Sequence, residues 1–585
     1  MKLSKVALLT ALTICSTTAL ADGGGHRWAQ GELGQVVNNP YGNAPQTAII
    51  DLGGYKIDSA TVKIHAKGDA GVPISYEVGK SSILNHDGIP LLGLYPDYNN
   101  TVEVSYTKNG KEITEEYKIF TPPVSVTGMR DGMQMNHPTV DSVTVAEGFE
   151  DRLYLVNHIV RTEGWDAMDW KDGMGSQTWD THPTIFITDT AGDIRWTLDV
   201  SHFRDIRHLD KRGTMMGFQQ MENGDLIFGQ GQKIYRIDLM GQIVFEWSLP
   251  RGYIDYSHGI QLMDNGNYLV RAAKSNYLRE DGQRVHTVRD HILEVDPTGK
   301  LVDVWDLNLI LDNMRDAKLL GLDAGAVCLN VDADLAGETV KIEPDAPFGD
   351  IAGVGAGRNW VHVNSVEHDS RDDSIILSAR HQGVVKISRD KEVVWILAPT
   401  DGWNDELAGK VLQPVNSDGS KIECSGNGIC KDSDFDFTYS QHTAWLTGKT
   451  YNDNNGIGLT VFDNGDGRHH QQPPMVEMKY SRGVEYIINE DDMTVEQIWE
   501  YGKDRGYEWY SQITSNVSYE EDRDTMFMFS GNTYLLNRDR LTRAIINEVA
   551  YGTDEVNVEL HVNSTVPGNA PYRSTIVDFD KAVAE

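Results

Sequence analysis

Three histidines occupy similar positions in separate parts of the chain, where they could act as nucleophiles, as general acids or bases, or as metal ligands. They are His258 in YSHGI, His362 in VHVNS and His442 in SQHTA, and Asn516 in TSNVS takes the corresponding position in a fourth copy. Equivalent positions in repeats arranged around one axis face that axis. The spacing therefore predicts that the three imidazoles converge on one site.

Arg380 narrows the chemistry of this site. It ends the apolar run IILSAR, in the same copy as His362 and Asn364. A permanent cation is repelled by a metal ion, whereas beside a sulfate or phosphate it neutralises oxygens and can bond two at once. The pattern favours a nucleophilic histidine acting on an anionic substrate, with no metal and no other cofactor. A zinc or similar site built by the three imidazoles remains the alternative.

The elements that position these residues form an internal repeat, which begins at about residue 151. Each copy has a strand, a polar turn and a second strand that ends near tryptophan, as in residues 185–196, 234–247, 292–305, 384–395, 486–499 and, more weakly, 535–549. A second strand–turn–strand unit precedes most copies. Four strands per repeat are typical of a propeller blade. We predict a six-bladed β-propeller over residues 151–585, with insertions at about 307–357 and 446–484.

A separate β unit precedes the propeller. Residues 22–125 alternate apolar and polar positions over short runs that are interrupted by Gly, Asp and Asn. This pattern predicts a small antiparallel β-sandwich, followed by a connector at residues 126–150. The fold class is therefore all-β. An open tandem of β-sandwiches is the rival architecture, but it explains the tryptophan period less well.

The first 21 residues have the pattern of a secretory signal peptide. Lys2 and Lys5 precede a short apolar run, and Ala19-Leu20-Ala21 matches a cleavage site. We expect export to a bacterial periplasm, with an N-terminal membrane anchor as the alternative. No later apolar run approaches the roughly 20 residues that a membrane span needs.

The charge of the chain bears on its partners. The formal net charge is -35, from 52 Lys and Arg against 87 Asp and Glu. Nucleic-acid binding needs a basic surface, so this balance argues against it. It also means that an anion site must supply its own local cations.

Two cysteines lie just before His442, at Cys424 and Cys430. In an oxidising compartment this pair predicts a disulfide, made with the help of the periplasmic thiol-oxidising machinery. A zinc site is the alternative, but no second Cys or His pair at ligand spacing lies nearby. Cys328 is most simply a buried free thiol.

The segment CSGNGIC followed by TYSQHTAW, together with the three histidines and Arg380, resembles the bacterial arylsulfate sulfotransferases. The resemblance covers nearly the whole mature chain. It implies a six-bladed propeller, a periplasmic homodimer, and sulfuryl transfer from an aryl sulfate to a phenol without a nucleotide donor. It also implies that His442 is the sulfated nucleophile, that His258 and His362 assist it, and that Arg380 is the family's arginine.

The expected mechanism is a ping-pong transfer through a sulfo-histidine. A protonated His258 or His362 would supply the proton to the leaving oxygen, and Arg380 and Asn364 would hold the sulfuryl oxygens. Candidate walls for the aromatic ring are Tyr256, Phe437, Tyr439 and Trp445. Two other functions stay open at this point: a metal-dependent propeller hydrolase or lyase, and a non-catalytic ligand-binding propeller.

Overall fold

The structure is a computed structural model. It describes residues 33–584 except 55, 125–128, 131–132, 135–136, 162–180, 204–214, 281, 283, 314, 316–358, 452–455, 471–474, 536, 538 and 566–568. The predicted signal peptide, Cys328 and most of the predicted insertion at 307–357 lie outside these residues. In the described part, strands dominate, and the α-helices are α1 (Lys80–His86), α2 (Leu307–Ile310), α3 (Asp405–Ala408) and α4 (Phe579–Val583). The all-β class is thus confirmed.

Seven strands belong to the N-terminal β unit in the residues that the structure describes between 33 and 124. They are β1 (Gln35–Asn38), β2 (Ala48–Asp51), β3 (Ala60–Ile64), β4 (Ile74–Val78), β5 (Gly88–Leu91), β6 (Tyr98–Lys108) and β7 (Lys111–Thr121). They make two sheets, with orders β1-β2-β5 and β4-β3-β6-β7. In β6, Val102, Val104 and Tyr106 are buried while the positions between them are not. This alternation is what a strand with one buried face requires.

Most of the remaining strands follow in hairpin-connected groups. The first groups contain β8 (Met129–Arg130), β9 (Met133–Gln134), β10 (Thr139–Val145), β11 (Leu153–Arg161), β12 (Thr181–Asp189), β13 (Ile194–Thr197), β14 (Met215–Gln220), β15 (Leu226–Gln230), β16 (Lys233–Ile237), β17 (Ile243–Ser248), β18 (Tyr253–Ile254), β19 (Ile260–Leu262), β20 (Tyr268–Lys274), β21 (Tyr277–Leu278), β22 (Arg284–Val285), β23 (His291–Val295) and β24 (Leu301–Asp306). The later groups contain β25 (Val363–Asp369), β26 (Ser374–Ala379), β27 (Gly383–Ile387), β28 (Val393–Leu397), β29 (Gln413–Pro414), β30 (His442–Tyr451), β31 (Gly456–Asp463), β32 (Arg482–Asn489), β33 (Thr494–Tyr501), β34 (Asn516–Glu520), β35 (Thr525–Thr533), β36 (Arg543–Ala550), β37 (Val556–Asn563) and β38 (Ala570–Val577).

The strands from β10 onward form a β-propeller. Within the described ranges after residue 138, six sheets have four or five strands each. The C-terminal strand β38 pairs with β11, near the start of the propeller, and β10 pairs with β37. Chain ends joined in this way close a ring of sheets and leave fewer free edges. The propeller and the preceding β unit are as predicted, while the number of blades stays a prediction.

The inner strands of the sheets surround a central channel. Neighbouring inner strands contact one another in the order β38, β14, β19, β25, β30 and β34. A hydrogen bond from Asn516 Nδ2 in β34 to the Ser574 carbonyl in β38 joins the two ends of this series. Two inner strands therefore separate β38 from β25 in either direction. These two strands lie on opposite sides of the channel.

The tryptophan positions that revealed the repeat lie on outer strands. Trp196, Trp305 and Trp395 are fully buried, and Trp247 and Trp499 are nearly so. Counted outward from the channel, each of these tryptophans lies in the strand that pairs with the third strand of its sheet. Large rings at these positions fill the wedge between adjacent sheets, which explains the repeat period.

The structure differs from the sequence predictions at three places. Residues 139–145, inside the predicted connector, form β10, which belongs to a propeller sheet. The predicted insertion at 446–484 begins within the regular hairpin β30–β31, so only the residues after Asp463 are additional. The weak copy at 535–549 is a turn followed by the single strand β36. In the described residues, no helix has the length and hydropathy to cross a membrane.

Candidate active site

The three predicted histidines lie where inner strands begin. His258 precedes β19, His362 precedes β25, and His442 is the first residue of β30. The backbone is left-handed at His258 (φ 69°), His362 (φ 47°) and Thr443 (φ 55°). Residues other than glycine seldom adopt this conformation, and where they do the strain often accompanies a functional site. The turn at each strand start aims the imidazole toward the channel axis.

The structure brings the three imidazoles together. The ring centroids of His258 and His362 lie 5.3 Å apart, and those of His258 and His442 lie 6.3 Å apart. Tyr572 packs edge-on against His258 at 5.9 Å, and His381 packs against His362 at 5.4 Å. We call the rings of His258, His362 and His442 the histidine cluster.

Asn464 fixes the tautomer of His442. Its side-chain Nδ2 donates to the carbonyls of Ser511 at 2.7 Å and Thr514 at 3.1 Å, so its Oδ1 faces His442 Nδ1 at 2.8 Å. An amide oxygen only accepts hydrogen bonds, and Nδ1 must therefore carry the proton. This leaves a lone pair on Nε2, which accepts a hydrogen bond from the Thr514 N–H at 3.3 Å. Both ring nitrogens of His442 are therefore held by fixed partners, and the ring is neutral with its lone pair on Nε2.

The other two histidines have different partners. Arg289 Nη1 lies 3.0 Å from His362 Nε2, and the Asn359 amide lies 2.8 Å from His362 Nδ1. Arg289 Nη1 also lies 3.3 Å from His362 Nδ1, and the Asn359 atom at Nδ1 is the donor Nδ2. A neutral imidazole has a single acceptor nitrogen, so two donors contact the one lone pair that His362 can offer. His258 Nδ1 lies 2.5 Å from the Ser257 hydroxyl. No other described side chain is hydrogen-bonded to the His258 ring, which leaves its Nε2 available.

Arg380 lies beside the cluster and is almost fully buried. Its Nη2 donates to Asp466 at 3.3 Å and its Nη1 to His381 Nε2 at 3.1 Å. Asn364 lies in β25, but its Nδ2 donates to the Gln441 carbonyl at 2.6 Å. The predicted oxygen-binding amide therefore also anchors the residue that precedes His442.

All three imidazoles are buried among positive charges. Burial, the largest cause, shifts the pKa of each of His258, His362 and His442 well below its usual value. Neighbouring guanidinium groups lower these pKa values further, and they belong to Arg271, Arg289, Arg380 and Arg573. The histidines are therefore neutral in the free protein. The predicted protonated acid requires a bound anion that offsets these cations.

The predicted disulfide Cys424–Cys430 is present. Its loop is fastened to the segment before His442, because the Tyr439 hydroxyl donates to the Asn427 carbonyl at 3.0 Å. Gly428 (φ 89°) makes this contact possible, since a Cβ there would lie 2.2 Å from the Tyr439 hydroxyl oxygen. The cross-link thus stabilises the chain that leads into His442.

Three of the four aromatic residues predicted as ring walls are core residues. Tyr256, Phe437 and Tyr439 pack in hydrophobic clusters between strands. Trp445 instead lines a cavity of about 260 Å³ in the central channel. Tyr439 also lines a smaller cavity, which lies beside Arg380 and His381.

Several residues of the site were not predicted from the sequence. They are Arg289, Asn359, Asn464, Thr514 and Arg573. Asn464 lies in an Asp-Asn-Gly-Asp turn at the end of β31, and such a turn after a strand was the available signal. Among the described residues, no group of three or more His, Cys, Asp or Glu side chains is placed to hold a metal ion.

Fold and site together define a β-propeller with a buried histidine cluster flanked by cations. A family model described as arylsulfotransferase matches residues 139–573, and one described as the arylsulfotransferase Ig-like domain matches residues 35–122. The chain belongs to the arylsulfotransferase family.

Two curated relatives agree with this assignment. The chain is 49% identical over 562 residues to arylsulfate sulfotransferase AssT of Escherichia coli O6:H1 strain CFT073, covering 94% of this chain and 93% of the relative. It is 47% identical over 582 residues to the protein of the same name from Lelliottia amnigena, covering 97% and 96%. A periplasmic gluconolactonase structure from Pseudomonas aeruginosa covers 72% of this chain and 99% of its own, at 10% identity and a TM-score of 0.29. That structural similarity is too low to support an argument.

Proposed function

We propose that this arylsulfotransferase moves a sulfuryl group from an aryl sulfate to a phenol in two steps, through a sulfo-histidine at His442 Nε2. The observation that carries the proposal is the hydrogen bond between His442 Nδ1 and Asn464 Oδ1 at 2.8 Å. It holds a neutral nucleophile in one orientation, beside cations that suit an anionic substrate.

In the first step, the lone pair of His442 Nε2 forms a bond to sulfur as the bond from sulfur to the phenolic oxygen breaks. The transition state resembles that of phosphoryl transfer, with charge moving to the leaving oxygen. Phenolate is an adequate leaving group because the pKa of a phenol is about 10. Arg380 neutralises the charge on the sulfuryl oxygens, and the Thr514 N–H lies close enough to donate to one of them.

In the second step, the oxygen of an acceptor phenol attacks sulfur, and His442 regains its lone pair. The acceptor's proton must leave and eventually reach the departing phenolate of the next donor. His258 is the better carrier, because the donors Arg289 and Asn359 already contact both ring nitrogens of His362. The anionic donor favours the protonated His258, since it offsets the neighbouring guanidinium charges. His362 and Asn364 then position the cluster and the segment before His442.

The cellular setting follows from the same proposal. The predicted signal peptide and the disulfide near the site suit the periplasm of a bacterium. There the thiol-oxidising machinery would form the Cys424–Cys430 bond, and the chain would act as a homodimer on small aryl sulfates and phenols. No step of this chemistry needs a cofactor.

The test is an assay of 4-nitrophenol release from its sulfate ester, with and without a phenol acceptor and with EDTA. We expect acceptor-dependent release that survives EDTA, and intact-mass detection of one sulfuryl group on His442. His442→Asn should lower the rate at least ~10³-fold, whereas His291→Asn, at another buried histidine, should not lower it. Full activity of His442→Asn would overturn the covalent mechanism. Loss of activity with EDTA would instead favour a metal-dependent hydrolase.

A further inference from the structure

The three histidines lie where inner strands begin, and farther along these strands the channel contains a cavity of about 260 Å³ with mixed polar and apolar walls. Inner-strand side chains form its walls, among them Gln219 of β14 and, after His362 along β25, Ser365 and Glu367. The cavity therefore lies next to the cluster, along the same axis. Its contents affect the stability of any reactive group on His442.

The cavity is suited to hold water. The side-chain oxygens Asn157 Oδ1, Gln219 Oε1 and Ser365 Oγ are buried and have no protein hydrogen-bond partner. Buried polar atoms without protein partners are normally satisfied by water. Glu367 and Glu520, near the far ends of β25 and β34, are only partly buried, so the cavity reaches solvent. Water can thus approach the cluster from this side.

One side chain crosses the channel between this cavity and the cluster. Arg573 begins on β38, and its Nη2 donates to the Asn364 carbonyl on β25 at 2.8 Å. Because β38 and β25 lie on opposite sides of the channel, the side chain spans the full width. A Cβ built on Gly259, the residue after His258, would lie 3.5 Å from Arg573 Nη1. The guanidinium therefore lies directly against the cluster.

Aromatic rings complete this layer. The guanidinium carbon lies 5.2 Å from the Tyr572 ring centroid and 5.7 Å from that of Trp445. Tyr572 in turn contacts His258. No described carboxylate forms an ion pair with Arg573, so carbonyl and ring contacts hold it across the channel.

We propose that Arg573 closes the channel below His442 and so ensures that a phenol, rather than water, accepts the sulfuryl group. The inference rests on the proposed function. Without this side chain, a water oxygen could form a bond to sulfur as the Nε2–sulfur bond breaks. The imidazole would regain its electron pair, the water protons would pass to His258 and solvent, and sulfate would be the product. A transferase would thereby gain hydrolase activity.

The test compares variants that separate size from charge. Arg573→Ala opens the channel and removes the charge, whereas Arg573→Met removes the charge but keeps a long side chain. Thr575→Ala is the matched control, because Thr575 lines the same cavity two residues farther along β38. Inorganic sulfate and 4-nitrophenol are measured without acceptor, and the ratio of sulfated phenol to sulfate is measured with acceptor. Unfolding temperatures verify that each variant is folded.

We expect Arg573→Ala to raise the fraction of sulfuryl groups lost to water about tenfold, while Arg573→Met and Thr575→Ala stay near wild type. If Arg573→Ala does not fold, Arg573→Gln carries the same test, because it is too short to reach Asn364. An unchanged ratio, or equal hydrolysis by the Met and Ala variants, overturns the proposal. Absence of acceptor-dependent transfer in the wild type would overturn the proposed function instead.

Discussion

Two buried histidines of this propeller have opposite electrostatic surroundings. His442 is 3% exposed and His291 is 2% exposed. His291 lies between two carboxylates, with Nδ1 2.7 Å from Asp290 and Nε2 3.4 Å from Asp306. Burial alone would lower the pKa of His291, but Asp290 and Asp306 raise it to about 9. His442 has an amide oxygen in place of a carboxylate, and its pKa lies well below the usual value.

The difference shows that, for two histidines buried to the same extent, the charge of the neighbours decides whether the ring is a cation or neutral. A histidine held between carboxylates stays a cation and forms ion pairs. A nucleophile must be neutral, and a nearby amide orients it without stabilising its protonated form. One short segment serves both regions, because Arg289 contacts His362 while the next residue, Asp290, contacts His291.

The largest predicted effect comes from giving His442 a neighbour like that of His291. Asn464→Asp places a carboxylate next to Nδ1 and should raise the pKa of His442, because the negative charge favours the protonated ring. Because the nucleophile must be neutral, the acidic limb of the pH–rate profile should move to higher pH. On the acidic side of the profile the transfer rate should fall below that of the wild type, with recovery in alkaline solution. The measurement is kcat/KM for 4-nitrophenyl sulfate as a function of pH.

Asn464→Leu is the control for this experiment. It removes the acceptor of the Nδ1 proton without adding charge, so it should lower kcat at every pH and leave the acidic limb in place. A profile of Asn464→Asp that coincides with that of Asn464→Leu would show that charge at this position does not control His442.

The sequence predicted the parts of this comparison that depend on local pattern. Turn residues and the tryptophan period revealed the propeller, and equivalent positions in the copies identified His258, His362 and His442. Asn464 and Arg573 could not be found in this way. Neither residue has a counterpart at the equivalent position of another copy. Asn464 acts through contacts between loops and Arg573 through contacts across the channel, and sequence spacing does not predict such contacts. The strand β10 was missed because its partner β37 lies at the other end of the chain.

The second prediction concerns His291 and stability. Its pKa is about 9 in the folded protein, above the roughly 6.5 of an unfolded histidine. The ion pairs therefore contribute fully below about pH 6.5 and are lost as the pH rises through about 9, with a difference of ~3 kcal/mol. His291→Gln should accordingly destabilise the protein much more near pH 6 than near pH 10. Urea unfolding of both proteins measures this.

The transfer activity of His291→Gln tests whether the region around His291 is independent of the histidine cluster. His291→Gln should keep wild-type transfer kinetics at a temperature where it is folded, because His291 does not contact the cluster. A loss of kcat in the folded variant would contradict the division between a structural and a nucleophilic histidine.

The smallest effect should come from the disulfide, which supports only the His442 side of the comparison. Replacing Cys424 and Cys430 by serine frees a short loop, and the chain-entropy model gives about 2 kcal/mol for this change. The loop contacts Tyr439, which lies three residues before His442. Freeing the loop should therefore lower kcat about 3-fold. The pH-dependent stabilisation by His291 should be unaffected, since no contact of the loop reaches that pair. The measurement is kcat of the wild type and of the serine variant, each with and without reductant. If reductant lowers kcat equally in both proteins, or if the serine variant changes the pH-dependent stabilisation by His291, the disulfide does not act specifically on the segment that leads into His442.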